Sequence, residues 1–445
     1  MRRSNLLLWT AAVLTACVDA QGFDGDVFND VTSSSTTSTT APLTDTTAAV
    51  ESSSETTAVA DADSSSSSSS SAGAQESSTG ELTTCGNGTV DPGEVCFVEQ
   101  ELLLAAGSGA WDVAVADYDL DGHLDIATLE ADANTVSIRL GDGARGFSEP
   151  ESFAATSQGF RLRAGDLDGD GDFDLVAIGT AVTVLNNHAG VLEAVTDTGF
   201  GLFPDQLNDA VLGELNVTAG LDLVHTTTLS MYTQGGAADG NNWDFGNGVP
   251  IFSVDTEDAS GLAVAPWAFD DDEIADVLYL NRTSEYAQVM TSNGTGGLQV
   301  FADAWVCPTG TGAYNATIGD LDGDDNQDLV VSCSTDQFAV VPGLGDGTFA
   351  EKELYDVPQG ALRPIITDVD ADGDPDVVIT AAGAGQLQVF TNDGSGTLDL
   401  AIALSLGALV RPVDHGDLDE DGAVDLVTAF TDARGDFTAV FWSDP

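Results

Sequence analysis

The chain has 445 residues, of which 74 are acidic and 11 basic, so its formal net charge is −63 at pH 7. A field of this sign repels nucleic acids and anionic lipid surfaces, which excludes both as partners of the folded part, and it attracts cations. Disorder of the whole chain is also excluded, because 42% of the residues are hydrophobic and they occur in short strand-like runs.

Residues 1–17 have the features of an export signal. Arg2 and Arg3 give it a basic start, and Leu6–Val13 is an apolar run too short to span a bilayer. Leu14–Cys17 resembles the lipobox of bacterial lipoproteins, whose cysteine is acylated and becomes the new N-terminus. An ordinary secretory signal with an incidental cysteine is the alternative. We expect the lipid at Cys17 to be the only membrane anchor, with the protein exposed on the outer membrane of the cell envelope.

Residues 18–84 and 85–96 precede the repetitive part of the chain. The first segment is rich in Ser, Thr, Ala and acidic residues and lacks the apolar surface needed for folding, which predicts a disordered stalk. The second resembles the opening of a small cysteine-rich repeat of myxobacterial surface proteins. That repeat continues with an acidic run, whereas Phe97 follows here, so we expect half a module, a short collar.

The cysteines favour disulfides over a metal site. Once Cys17 is acylated, four cysteines remain in an oxidising compartment, and they lack supporting histidines. We expect Cys85–Cys96 to close the collar and Cys307–Cys333 to form within one repeat.

Residues 97–445 contain a repeated acidic motif, Asp-x-Asp-x-Asp-x-x-x-Asp. It is intact in five segments, which begin at residues 117, 166, 320, 368 and 417. Decayed copies begin at Glu214 and Ala268, so that the seven starts are separated by 48 to 54 residues. Each unit has four short apolar or alternating runs, and Asp-Gly turns such as Leu140–Phe147 are typical of hairpins. Four strands per unit predict an all-β fold, a seven-bladed β-propeller.

These units resemble the FG-GAP and VCBS repeat families, bacterial relatives of the integrin α-chain propeller. The resemblance covers about residues 97–445 and is weakest in the third and fourth units. It implies that calcium rigidifies the acidic hairpins on one face and that ligands bind on the opposite face.

The ring is expected to close between the two ends of the repeat region. Phe147–Glu151 and Phe349–Glu353 each follow a glycine turn and begin 19 residues before the next acidic loop, and Phe97–Glu101 begins 20 residues before the first loop. The last unit has no such segment. Phe97–Leu104 is therefore predicted to be the outer strand of the seventh blade, which leaves no open edge.

The five intact loops are predicted calcium sites. Asp side chains at positions 1, 3, 5 and 9 of a tight hairpin supply hard oxygen ligands, and position 7 can add a backbone carbonyl. Solvated acidic hairpins are the alternative, but close carboxylates without a cation repel one another strongly. We expect about five structural Ca²⁺ ions, and none at the decayed loops. The predicted ligands are Asp117, Asp119, Asp121, Asp125, Asp166, Asp168, Asp170, Asp174, Asp320, Asp322, Asp324, Asp328, Asp368, Asp370, Asp372, Asp376, Asp417, Asp419, Asp421 and Asp425.

No catalytic group can be nominated. The four histidines are scattered, and the chain has no HExxH, GxSxG or phosphate-loop motif. We therefore expect a protein that is not an enzyme, and we predict no catalytic residue.

A weaker pattern indicates a ligand site on the face opposite the acidic loops. Aromatic residues and arginines recur five or six residues before the loops, where they could stack on a ligand or hold a carboxylate. The alternative is that the aromatics pack between blades while the arginines neutralise neighbouring acids. The candidate residues are Trp111, Phe160, Arg161, Tyr314, Arg363 and Arg411.

Together these features predict a monomeric, calcium-stabilised surface lipoprotein that acts in adhesion or ligand binding. Its partner would be an extracellular glycan or a protein of the envelope or matrix. A lectin-like or lyase-type polysaccharide propeller and a protein-interaction scaffold of the envelope are the alternatives.

Overall fold

The computed structural model describes residues 92–443 with gaps at 105–106, 156–157, 196–206, 214, 216–220, 228–230, 235–248, 253–258, 266–268, 270–273, 282–283, 293–297 and 408. The predictions for the lipobox at Cys17, the stalk at 18–84 and the disulfide partner Cys85 lie outside these residues. Within the described part, no helix combines the length and the apolar character needed to cross a bilayer.

The described residues form short strands separated by turns, as the four runs per unit predict. The first half of the chain contributes β1 Phe97–Leu104, β2 Ala110–Ala116, β3 Asp125–Glu130, β4 Thr135–Arg139, β5 Glu151–Ala154, β6 Arg161–Gly165, β7 Asp174–Ile178, β8 Val182–Asn187, β9 Leu192–Ala194, β10 Leu207–Gly213, β11 Asp222–Thr227, β12 Met231–Gln234, β13 Val249–Phe252 and β14 Ala259–Ala265. The second half contributes β15 Asp276–Asn281, β16 Tyr286–Ser292, β17 Leu298–Trp305, β18 Ala313–Gly319, β19 Asp328–Cys333, β20 Gln337–Val341, β21 Glu353–Asp356, β22 Ala361–Thr367, β23 Asp376–Ala381, β24 Gln386–Asn392, β25 Leu398–Ser405, β26 Leu409–Gly416, β27 Asp425–Asp432 and β28 Gly435–Ser443, with a 3-10 turn at Ala382–Ala384.

In the described part of the chain these strands make seven separate antiparallel sheets of four. Blades 1 to 6 each take four consecutive strands, from β2–β5 to β22–β25, and blade 7 has the order β1-β28-β27-β26. The first strand of every blade contacts the first strand of the next, and β26 of blade 7 contacts β2 of blade 1. The seven sheets therefore surround a common centre, and the predicted all-β, seven-bladed propeller is confirmed.

Blade 7 is completed by the N-terminal strand. β1 pairs antiparallel with β28, with Glu101 opposite Val440 and Leu103 opposite Thr438. The β1 boundaries are those predicted, Phe97–Leu104. The ring is thus closed by hydrogen bonds between its first and last strands.

The core lies between neighbouring blades. The second strand of a blade is covered on both faces, so β3, β19 and β23 are buried along their whole length, including the aspartate that begins each of them. Side chains of adjacent sheets share hydrophobic clusters, and one such cluster contains Val136 of blade 1 and Leu162 and Leu175 of blade 2. Cys307 and Cys333 lie in one such cluster and form the expected disulfide, with their Cα atoms 5.7 Å apart.

Candidate metal centres

The five intact loops each bring three carboxylates together. A loop begins after the first strand of its blade and ends where the second strand starts. One oxygen from each of positions 1, 3 and 9 lies within 4.8 Å of the other two. The groups are Asp117, Asp119 and Asp125; Asp166, Asp168 and Asp174; Asp320, Asp322 and Asp328; Asp368, Asp370 and Asp376; and Asp417, Asp419 and Asp425.

The backbone of the hairpin produces this convergence. Position 6 is in the left-handed region, with φ of 92° to 99° at its four glycines and 67° at Asp325. The turn allows the N–H of position 6 to donate to the carboxylate of position 1, at 2.9 to 3.1 Å in all five loops. Position 1 is therefore held over the loop by a local hydrogen bond.

Position 5 is not one of the three converging groups. Its carboxylate accepts the N–H of position 7, at 2.9 to 3.1 Å in the five loops. It also contacts the position-3 side chain, as Asp121 does with Asp119. The structure thus places a core of three carboxylates with a fourth beside it, whereas the spacing led us to expect four around one point.

The position-9 carboxylate is buried and joins two parts of its blade. One of its oxygens accepts the N–H of position 2, at 2.7 to 2.9 Å. The other accepts an N–H at or just after the end of the third strand, at 2.7 to 2.8 Å. Burial raises the pKa of Asp125 and Asp328 to about 6 and that of Asp174, Asp376 and Asp425 to about 7, and repulsion from the other acids of the loop adds to the effect. A cation among these groups would favour their charged form.

Each group also contains a buried carboxylate oxygen that accepts no hydrogen bond. In blades 1, 6 and 7 it is Oδ1 of position 1, and in blades 2 and 5 it belongs to Asp168 and Asp322 at position 3. Asp168 is only 6% exposed. Burying an ionised oxygen without a partner is unfavourable, and a cation between the three carboxylates would remove that penalty. The residues fit a metal ion, and their hard oxygen donors are the kind that calcium prefers.

Neighbouring blades are hydrogen-bonded to the loops. The side-chain amide of Asn187 in blade 2 donates to the carbonyl of Tyr118 in the blade 1 loop at 2.9 Å. Asn392 of blade 6 does the same for Leu321 of the blade 5 loop at 2.6 Å. The backbone N–H of Asn187 also donates to Asp174, the position-9 residue of its own blade. Each of these asparagines therefore connects one acidic loop to the next.

The decayed loops show which part of the motif is structural. Asp222 of blade 3 accepts the N–H of Leu215 at 3.0 Å, and Asp276 of blade 4 accepts the N–H groups of Phe269 and Ser292 at 2.7 and 2.8 Å. Position 9 is therefore retained in every blade. Asp276 makes both bonds and Asp222 makes the first of them, although their loops depart from the motif at other positions. Sequence reasoning treated this residue only as a ligand, although its presence in all seven units was a visible signal.

Replacing the residue at position 9 should separate its structural role from its role as a metal ligand. Asp276→Asn is expected to lower the free energy of unfolding by about 3 kcal/mol, because one buried N–H loses its acceptor and faces an amide donor. The loss should be equal in calcium and in chelator. Asp328→Asn, the equivalent change in an intact loop, should cost more in calcium than in chelator. Urea unfolding under both conditions measures this, and equal calcium dependence for the two variants would contradict a separate structural role.

Two of the three candidate arginines, Arg161 and Arg363, lie at the centre of the ring. Arg161 of blade 2 donates to Asn315 of blade 5 at 3.1 Å, and Arg363 of blade 6 lies 3.7 Å from Asp112 of blade 1. Because these blades are not neighbours, the contacts cross the central channel. We name as the channel ring the residues Asp112, Arg161, Arg163, Asp209 and Arg363.

Two buried carboxylates balance the arginines of the channel ring. Arg163 lies 3.5 Å from both Asp112 and Asp209, and Arg161 lies 3.3 Å from Asp209. Burial, with repulsion from Arg363, lowers the pKa of Arg163 to about 10. The geometry corresponds to the alternative in which arginines neutralise acids. Sequence reasoning missed Asp112 and Asp209, which stand five residues before position 1 of their units, as Arg161 and Arg363 do.

Two of the three candidate aromatic residues lie between blades. Phe160 packs on the cluster shared by blades 2 and 3. The guanidinium of Arg411 in blade 7 lies over the Trp111 ring of blade 1, 3.6 Å from its centroid. Tyr314 is half-buried at the start of β18. Arg161 and Arg363 thus lie in the channel, whereas Phe160, Trp111 and Arg411 lie where two blades meet.

Comparison with known proteins agrees with the repeat pattern. The FG-GAP-like repeat model matches residues 117–177, 269–331 and 368–428, each spanning the acidic loop of one blade and that of the next. No curated protein matches the chain. Two crystal structures of BBS1N in complex with ARL6DN, one soaked with lead and one with mercury, have similar folds. Their TM-scores are 0.51 and 0.50 at 12% and 10% identity, and each match covers 78% of this chain and 96% of the other. This chain is therefore a seven-bladed β-propeller that carries three FG-GAP-like repeats.

Proposed function

We propose that the chain is a calcium-stabilised propeller without enzymatic activity that binds a protein partner at the cell surface, where the lipid at Cys17 anchors it. One observation supports the proposal that the chain binds calcium. Each of the five acidic groups holds a buried carboxylate oxygen without a hydrogen-bond partner. Calcium at the five groups would neutralise the carboxylates and hold the hairpins rigid, and we assign it a structural role.

A protein partner is favoured over an acidic glycan. The arginines that could hold a carboxylate are paired with Asp112 and Asp209 in the channel ring, and a net charge of −63 repels a polyanion. The similar fold of BBS1N was crystallised in complex with a second protein, ARL6DN.

Binding to isolated cell envelopes tests the proposal. The purified chain with calcium should bind envelopes whose glycans have been oxidised with periodate and should not bind envelopes treated with protease. Binding should also fall when calcium is chelated. The opposite pattern, lost after periodate and kept after protease, would support the lectin-like alternative. Absence of binding to untreated envelopes would overturn the proposed binding function.

A further inference from the structure

The turn between the third and fourth strands of a blade lies against the acidic loop of the preceding blade. Gly190, Gly347 and Gly396 occupy this turn in blades 2, 5 and 6, with φ of 76° to 79°. A Cβ atom on Gly190 would meet the carbonyl of Asp119, and one on Gly396 would lie 3.4 Å from the Cβ of Asp322. Glycine therefore keeps side chains away from these two groups.

Blade 1 has Arg145 at the equivalent position. The matching hydrogen bonds of the turns, Asp142 to Gly146 and Leu344 to Thr348, align it with Gly347. Arg145 has a φ of 65°, a left-handed conformation that is unfavourable for any residue other than glycine. A side chain is present here in spite of that cost.

The guanidinium of Arg145 reaches the acidic loop of blade 7. Its Nε donates to Asp419 at position 3, and an NH2 nitrogen lies 3.7 Å from Asp421 at position 5. The same side chain donates to the carbonyl of Ser443 at 3.3 Å and lies 5.2 Å from the Trp442 ring centroid. The Asp419 side chain is 6% exposed and that of Arg145 is 30% exposed, so the carboxylate of this ion pair is shielded from water.

We propose that Arg145 serves as a built-in cation of the blade 7 group, which consequently binds calcium more weakly than the blade 1 and blade 5 groups. The inference rests on the proposed calcium function. A guanidinium that occupies the oxygens of positions 3 and 5 must leave before calcium can bind there. Breaking such charged hydrogen bonds corresponds to roughly a tenfold or greater loss of affinity. At low calcium, the acidic loop of blade 7, the blade in which the first and last strands pair, is thereby held by a side chain of the protein itself.

Calcium titration calorimetry on the whole chain tests the difference in affinity. Asp119→Asn in blade 1 should remove one tight site, whereas the equivalent Asp419→Asn should leave the number of tight sites unchanged. Arg145→Gln, which keeps the backbone conformation and removes the charge, should convert the weak site into a tight one. The matched control is Arg434→Gln, because Arg434 pairs with the exposed hairpin residue Asp432 in the same blade. Equal loss of a tight site in both Asp variants would overturn the proposal.

Thermal melting in chelator gives a second readout that does not need calcium. Arg145→Gln should melt several degrees below the wild type in chelator, Arg145→Lys should recover most of the loss, and Arg434→Gln should melt like the wild type. In saturating calcium the difference for Arg145→Gln should disappear. If no variant binds calcium at all, the proposed calcium function fails, and the melting in chelator still decides the role of Arg145. Equal melting of Arg145→Gln and Arg434→Gln in chelator would overturn that role.

Discussion

Chelating calcium from the purified chain is expected to lower its melting temperature by about 20 °C. A site filled at a hundredfold excess over its dissociation constant contributes about 2.7 kcal/mol, so four to five such sites contribute on the order of 10 kcal/mol. For a domain of this size each kcal/mol shifts the midpoint by about 2 °C. The physical origin is the set of unpaired buried oxygens and the repulsion among the carboxylates of each loop.

Differential scanning calorimetry with calcium, with magnesium and with chelator measures the effect. Calcium should restore the melting temperature, and magnesium should restore little of it, because magnesium demands octahedral geometry and retains its water. A shift of only a few degrees between calcium and chelator would contradict a stabilising role of calcium.

Asp112→Asn is expected to lower the free energy of unfolding by about 3 to 5 kcal/mol, which is the cost of removing one partner from a buried ion pair. Asp112 has no exposed surface, lies between Arg163 and Arg363, and accepts the N–H groups of Val113 and Leu162 at 3.1 and 3.0 Å. Its loss leaves the three guanidinium groups of the channel ring with one remaining carboxylate, that of Asp209.

Urea unfolding in saturating calcium measures this loss, and the same loss should appear in chelator because Asp112 lies in the channel and not in an acidic loop. Asp432→Asn is the control, since its ion pair with Arg434 is exposed and should contribute little. A decrease below 1 kcal/mol for Asp112→Asn would show that the channel ring does not hold the blades together.

The architecture could be predicted because its determinants are local and repeated. The nine-residue acidic loop folds from its own backbone turn, so its spacing located all seven blades, including the decayed ones at Glu214 and Ala268. The closing strand was recognisable because Phe97–Glu101 repeats a segment that the last unit lacks. The carboxylates at positions 1, 3 and 9 could be predicted to converge because they belong to the same local loop.

The channel ring could not be predicted, because its contacts join residues far apart in the chain. Arg363 meets Asp112 across the ring, and a β-bulge just before Asp112 and Asp209 alters the strand register there. Reading the arginines alone suggested a ligand site, whereas reading all seven residues at the same offset shows two aspartates, Asp112 and Asp209, beside the two arginines. The two hydrogen bonds that the position-9 carboxylate accepts were not predicted, because one of the donating N–H groups lies at or just after the end of the third strand and not in the loop.

The pairing of β1 with β28 imposes an order on biosynthesis. β1 is the first strand of the propeller to emerge during synthesis or export, and its partner is the last. Until β28 is available, β1 exposes an unpaired edge that can join a wrong strand, and nearly the whole propeller must be made before the correct partner arrives. Ring closure is therefore a late step of folding, and the nascent protein depends on the preceding blades to keep its two ends within reach of each other.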